Sequence, residues 1–253
     1  QAQVIPATLD GGDLLVSSQT GSGKTAAFLL PLLHQLVLAN PHGSPVPGRA
    51  QPKILVLCPT RELAQQVATD AINLARGIKS LRIATIMGGM PYGKQIQAIK
   101  GASLVVATPG RLLDLFNSRA IRLDQVECLV VDEADRMFDM GFIRDVRRIV
   151  GAVSKQRQTL LFSATMPKDI EEIADTYLRN PVRVQVSTPG KPAEKITQGV
   201  HYIPMGDKAK LLEEYLKKHP TEQALVFGRT KHGSEKLMKL LVSWGFKAGS
   251  IHG

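Results

Sequence analysis

The sequence predicts a doubly wound α/β fold on a parallel sheet, and three observations carry the prediction. Short apolar runs such as Ile54–Leu57, Leu104–Ala107 and Cys128–Val131 show no polar alternation, so they suit strands covered on both faces. Segments with helical spacing of apolar residues separate these runs, which is the order of a parallel sheet with crossover helices. The stretch Ser18–Thr25, S-Q-T-G-S-G-K-T, joins a short apolar run to a helical one through glycines, as a phosphate-binding turn does.

The elements follow in order. Leu14–Val16 is the first strand, and Ala26–Leu30 opens a helix. A Pro/Gly loop, Pro41–Pro52, precedes the strand Ile54–Leu57 and a helix over Glu62–Leu74. The strand Arg82–Ile86, a Gly88-Gly89 turn and a helix Lys94–Ile99 lead into the strand Leu104–Ala107. Cys128–Val131 and Thr159–Phe162 complete the first block. Around Ser187–Thr197 the segment T-P-G-K-P-A-E-K is polar and rich in breakers, and is expected to be a linker. Strands Val200–Ile203 and Ala224–Phe227, helices Lys208–Lys218 and Ser234–Val242, and an extended piece Ala248–His252 follow. The expected organisation is a first domain over 1–187, a linker over 188–197 and a second, incomplete domain over 198–253. This last block is too short to cover a sheet on both faces.

Composition narrows the class. With 253 residues, 43% of them hydrophobic and 21% charged, the chain suits one to two soluble domains. No run approaches the ~20 apolar residues of a membrane span, and no secretory signal pattern opens the chain. Cys58 and Cys128 both lie in strand-like runs, which suits buried, reduced thiols and a cytoplasmic protein. The six histidines have no metal-ligand spacing. The net charge of +10 favours a polyanionic partner.

The phosphate-binding turn has its chemistry in its residue types. Gly21 and Gly23 let backbone N–H groups converge on phosphate oxygens, and the following helix offers its unpaired N–H groups. Lys24 supplies a mobile positive charge, and the Thr25 hydroxyl can ligate Mg²⁺. Ser18 stands where the generic pattern has its first glycine. At the tip of the run Leu129–Val131 sit Asp132-Glu133-Ala134-Asp135. An acidic residue there points into the crevice where α/β sheets bind ligands. Asp132 is expected to hold Mg²⁺, and Glu133 to orient or deprotonate an attacking water.

Asp132–Asp135 spell D-E-A-D, and with the motifs around them the chain resembles the DEAD-box ATP-dependent RNA helicases of superfamily 2. Pro59-Thr60-Arg61-Glu62-Leu63-Ala64 is similar to motif Ia, Gly88-Gly89 to the GG motif, and Thr108-Pro109-Gly110-Arg111 to motif Ib. Ser163-Ala164-Thr165 resembles motif III, and Leu225-Val226-Phe227 with Thr230 resembles motif IV. Gln1, four residues before Ile5, stands where the Q-motif glutamine stands; Gln3 is the competing candidate.

The resemblance implies two RecA-like domains, the second incomplete, and an RNA-dependent ATPase that remodels short duplexes. It implies Lys24, Asp132 and Glu133 as catalytic residues. Gln1, Thr20, Gly21, Ser22, Gly23, Lys24 and Thr25 would bind ATP, with Thr25 and Asp132 at Mg²⁺. A glutamine amide donates and accepts together, which suits the edge of adenine. Ser163 and Thr165 would hydrogen-bond Asp135 and couple the nucleotide site to RNA. Pro59, Thr60, Arg61, Gly88, Gly89, Thr108, Pro109, Gly110 and Arg111 would track the backbone of single-stranded RNA or a short duplex. Protein partners would bind through flanks this sequence lacks, and no membrane is expected. The family's late arginine-finger motif is not in the sequence, so weak turnover is expected of this chain. One rival reading, an ATP-gated RNA clamp or scaffold, shares these motifs; against another, a DNA-directed helicase or translocase, stand the D-E-A-D spelling and the adenine-reading glutamine.

Overall fold

A computed structural model describes residues 1–18, 23–39, 50–78, 81–185 and 197–252. The chain forms two compact units, Gln1–Lys191 and Pro192–Gly253.

The first unit is a seven-stranded, all-parallel sheet in the order β3-β4-β2-β5-β6-β1-β7. Its strands are β1 (Leu14–Ser17), β2 (Ile54–Leu57), β3 (Ile83–Ile86), β4 (Leu104–Ala107), β5 (Cys128–Val131), β6 (Gln158–Ser163) and β7 (Val182–Gln185). The helices between them are α1 (Val4–Leu9), α2 (Lys24–Ala39), α3 (Arg61–Leu74), α4 (Tyr92–Ile99), α5 (Pro109–Asn117), α6 (Ala134–Asp139), α7 (Ile143–Ala152) and α8 (Lys168–Tyr177).

Alternate residues of the inner strands feed two separate cores. Leu14, Val16, Val56, Val106, Val130 and Phe162 face α1, α2 and α3. Leu15, Leu55, Leu57, Val105, Leu129 and Leu161 face α4 to α8. Every residue of β2, β4, β5 and β6 is buried, which is why these runs lack polar alternation. Phe28 of α2 meets Phe162 of β6 with ring centroids 5.3 Å apart, fixing the helix that leaves the glycine turn against the strand that ends at Ser163.

The N-terminal edge of the sheet is tied by buried polar groups. The Asp13 carboxylate accepts from the Thr159 N–H and the Arg179 N–H, both at 2.7 Å. The Gln158 amide donates to Thr8 O at 3.0 Å and Gly12 O at 2.7 Å. Cys58 and Cys128 are buried free thiols.

Some elements depart from the sequence reading. α1, α6 and β7 are too short to stand out, while α5, α7 and α8 carry apolar residues at helical spacing that the sequence reading did not pick up. β7, V-R-V-Q, is an edge strand with only Val184 buried. α2 runs through Pro31, whose ring sits among buried neighbours rather than ending the helix. The expected linker lies almost wholly outside the described residues.

The second unit differs most from expectation. Its helices α9 (Lys208–Lys218) and α10 (Lys231–Ser243) form, with Thr230 capping α10 by accepting from the Gly233 N–H at 3.0 Å. The strands expected at Val200–Ile203 and Ala224–Phe227, and the extended piece at Ala248–His252, enter no ladder among the described residues. Tyr202 is 96% exposed and Phe227 89%. An apolar, β-branched run becomes a strand only where neighbouring strands pair its backbone and helices cover its faces. Those neighbours are missing among the described residues of this unit.

Candidate nucleotide and nucleic-acid site

Parallel strands place all their C-terminal ends on one edge of the sheet, and the predicted site residues gather there. Thr20, Gly21 and Ser22 lie outside the described residues; Gln1, Gly23, Lys24 and Thr25 do not. Ser18 continues the β1–β6 ladder, its N–H donating to Ser163 O at 3.1 Å. Gly23 has φ of +79°, a left-handed value suited to glycine, and α2 begins at Lys24. The Gln1 side-chain amide donates to Gly23 O at 3.3 Å, so Gln1 rather than Gln3 reaches the turn. A side chain at position 23 would collide with it, since a Cβ would stand 2.5 Å from Gln1 Nε2.

The centre of the site is an unusual pair. Asp132, at the tip of β5, is 2% exposed, and the Lys24 ammonium lies 3.9 Å from its Oδ1. That distance is an ion pair without a hydrogen bond. Among the described residues Lys24 Nζ has no hydrogen-bond partner, and neither does Ser18 Oγ. A buried ammonium is stabilised by bonding partners, so its position suits a bound anion. Asp132 Oδ1 accepts from the Glu133 N–H at 2.9 Å. Burial pushes the Asp132 carboxyl up to about 6; Lys24 draws it back and Glu133 adds to the rise. Burial and then the charges of Asp132 and Glu133 hold the Cys58 thiol well above its ordinary range, so it is an inert neighbour.

Glu133 sits in the left-handed region, with φ of 51° and ψ of 54°, as the residue before α6. A residue with a Cβ adopts this at a cost of about 1–2 kcal/mol. Its carboxylate is mostly covered and lies 3.5 Å from Arg136 Nη1. Sequence pattern alone did not reveal this strain.

Asp135, one turn further on, joins α6 to the end of β6. Its Oδ2 accepts from the Thr165 N–H at 2.8 Å and the Thr165 hydroxyl at 2.9 Å. Its own N–H donates to Ser163 Oγ at 3.1 Å, and the Ser163 hydroxyl donates to Thr165 O at 2.7 Å. Ser163 thus serves the backbone of Asp135 while Thr165 serves its carboxylate. Burial opposes ionisation of Asp135, but the bonds from Thr165, Ser163 and Arg136 outweigh it and hold the carboxyl below its ordinary value.

The second half of the edge lies beyond β2, β4 and β3. Pro59 is buried, and Thr60 caps α3 by accepting from the Leu63 N–H at 3.2 Å. Arg61 reaches across to the turn after β3. There Gly89 has φ of +79°, a Cβ on Gly88 would stand 3.2 Å from Arg61 Nη2, and one on Gly89 would overlap Arg61 Nη1. The φ of Gly89 suits glycine, and a Cβ on either glycine would push the Arg61 guanidinium from its present place. Thr108 precedes α5, Pro109 takes its first position, and Gly110 and Arg111 follow in its first turn. Arg111 Nη1 donates to Met90 O at 2.9 Å, and its guanidinium lies 5.6 Å from the Tyr92 ring centroid. Gly110 has neither a positive φ nor an atom within 4 Å of a Cβ built on it, so the fold itself does not need glycine there.

Sequence reading missed Gln95, Met90 and Tyr92, which hold this half together. The signal available was a glutamine four residues before Ile99, on the apolar face of α4.

The chain is similar to proteins of known family and structure. The profile of the DEAD/DEAH box helicase family matches residues 1–173. A DEAD box protein from the hyperthermophile Methanococcus jannaschii has a similar solved structure, with 38% identity and a TM-score of 0.65. The match covers 99% of this chain and 65% of that one. A hypothetical ATP-dependent RNA helicase from Sulfolobus tokodaii matches at 32% identity and a TM-score of 0.65, over 94% of this chain and 66% of that one. The chain thus spans about 65% of the length of these solved relatives.

Proposed function

Because the chain belongs to the DEAD/DEAH box helicase family, we propose that it binds ATP with Mg²⁺ at the Gly23–Asp132 site and RNA along the Thr60–Arg111 rim. In the whole protein, ATP hydrolysis would drive local remodelling of RNA duplexes. We take residues 1–187 as the ATP-binding RecA-like domain, 188–197 as a linker and 198–253 as the start of a second such domain. The single observation that supports the ATP reading best is the buried Lys24 ammonium, without a hydrogen-bond partner among the described residues and 3.9 Å from the buried Asp132.

Each residue has a physical task. Lys24 donates to the terminal phosphates, and the backbone N–H groups of the turn bind the others. Gln1, already against Gly23, reads adenine. Among the described residues no cluster of three or more His, Cys, Asp or Glu could hold a cation unaided, so Asp132 and Thr25 would share it with phosphate oxygens and water. Bound Mg²⁺ would supply neutralisation of the charge that builds on the transferred phosphoryl group. Glu133, held in its strained conformation at the mouth of the site, orients the attacking water and takes its proton. Asp135, Ser163 and Thr165 transmit changes at the nucleotide to the strand end beside it.

On the RNA rim, glycine turns, the N-termini of α3 and α5 and two guanidiniums offer donors to phosphates without presenting base-edge readers. The net charge of +10 adds attraction to any polyanion. Titration of this chain with a fluorescent ATP analogue in Mg²⁺ tests the first claim. Lys24→Met is expected to weaken binding at least tenfold, as loss of one charge-assisted bond implies. Equal affinity in the variant refutes the site. For the whole protein, ATPase stimulation by matched RNA and DNA oligonucleotides, with a strand-separation assay, separates helicase from clamp and from translocase.

A further inference from the structure

Gln95 is a buried polar side chain to which the chemistry above assigns no task. It is 2% exposed on α4, yet every bond its amide makes goes to one turn. Gln95 Oε1 accepts from the Met87 N–H at 3.0 Å. Gln95 Nε2 donates to Met87 O at 3.0 Å and to Met90 O at 3.2 Å. Both amide hydrogens and one carbonyl lone pair are thus used, three of the four hydrogen-bonding positions of a primary amide.

Met87 and Met90 bracket Gly88 and Gly89. Two adjacent glycines are the least constrained backbone a chain can have, so their N–H directions must be set from outside. Gln95 sets both ends of the turn from within the fold. From the solvent side, the Arg61 guanidinium lies over the glycines, and Arg111 Nη1 bonds the same Met90 carbonyl that Gln95 bonds. One buried amide therefore connects the glycine turn to Arg111, and through the glycines to Arg61. Tyr92, at the start of the same helix, has its hydroxyl fixed on Asp114 O at 3.1 Å and Ser118 Oγ at 2.8 Å, which anchors α4 to α5.

We propose that Gln95 is a positioning residue for RNA binding, fixing the Gly88–Met90 turn and the Arg111 guanidinium in a receptive geometry before RNA arrives. It touches no ligand itself. The proposal rests on the reading that this rim binds the RNA backbone. Preorganising the turn removes an ordering cost that binding would otherwise carry.

The test compares the 253-residue chain with its Gln95→Met and Gln95→Glu variants. Met keeps length and apolar volume but makes no bonds. Glu keeps the acceptor for Met87 N–H and loses both donors to the carbonyls. Circular dichroism first establishes folding. Anisotropy of a labelled single-stranded oligouridine, with a non-hydrolysable ATP analogue present, then reads RNA affinity, and a fluorescent ATP analogue reads nucleotide affinity. RNA affinity is expected to fall about tenfold in both variants, with nucleotide affinity unchanged. A folded variant that binds RNA as tightly as the original chain overturns the proposal. So does a variant that loses RNA and nucleotide together, or the unfolding of both variants, since Gln95 would then be merely structural. If the original chain binds no RNA, the RNA reading itself fails, and this inference with it.

Discussion

The Thr165 hydroxyl and N–H both converge on one carboxylate oxygen of Asp135, at 2.9 and 2.8 Å. The two residues belong to different strand ends, and this pair is the most direct link between the acidic loop after β5 and the segment after β6. Because the bonds favour the ionised form, the Asp135 carboxyl is held below its ordinary value in the folded chain. A depressed carboxylate stabilises the fold fully above its unfolded pKa of about 3.9 and loses that contribution as pH falls through its folded value. Thr165→Val removes the hydroxyl bond. Urea unfolding across pH should show the variant less stable at neutral pH, with the difference shrinking below pH about 4. A difference that stays constant with pH would mean the loss comes from packing.

Glu133 combines two properties that mutation separates, its carboxylate and its left-handed backbone. Glu133→Gln keeps the shape and removes the base. Nucleotide binding should persist while RNA-stimulated turnover in the whole protein falls about 10²–10⁴-fold. Glu133→Gly should also abolish turnover, yet raise the urea midpoint, because glycine escapes a cost of about 1 kcal/mol at this φ. Unchanged turnover in the first variant refutes the role of the carboxylate.

Gly110 offers a test of the RNA rim that leaves the fold alone. A methyl group at this position meets nothing within 4 Å, and the backbone is ordinary helix. Gly110→Ala should therefore be neutral or stabilising by up to about 1 kcal/mol. If the glycine serves close approach of a sugar-phosphate backbone, RNA affinity should fall several-fold while the melting temperature holds or rises. Retained RNA affinity would leave this glycine without a role in binding.

Phe28 and Phe162 carry the site indirectly. Phe28 is fully buried, and its ring packs 5.3 Å from that of Phe162. Phe28→Ala should cost about 3–5 kcal/mol in urea unfolding. It should also weaken nucleotide binding, since α2 and β6 hold Lys24 and Ser163 in place. A loss of stability without loss of nucleotide affinity would show that the turn holds its geometry independently of this contact.

Much of the first unit was legible because its signals are local. Val56, Val106 and Val130 sit in runs without polar alternation, which suit doubly covered strands where neighbouring strands and helices are at hand. The glycines and Lys24 of the turn, and the acids after β5, announce their chemistry by type and spacing. What was not legible depends on partners distant in sequence. V-R-V-Q becomes β7 only because β1 offers a ladder. Val200–Ile203 and Ala224–Phe227 carry strand composition, but no ladder forms for them among the described residues.

The sequence by itself determined the fold class of the first unit, the family and the identity of the residues at the sheet edge, because periodicity and residue chemistry are properties of the chain read in order. Only the tertiary structure decided how those residues meet. The Lys24 ammonium beside a buried Asp132, the strain at Glu133, and the Gln95 amide clamped on Met87 and Met90 arise from elements brought together in space. Burial and hydrogen-bond geometry depend on distance, and no spacing along the chain encodes distance once the chain folds back on itself.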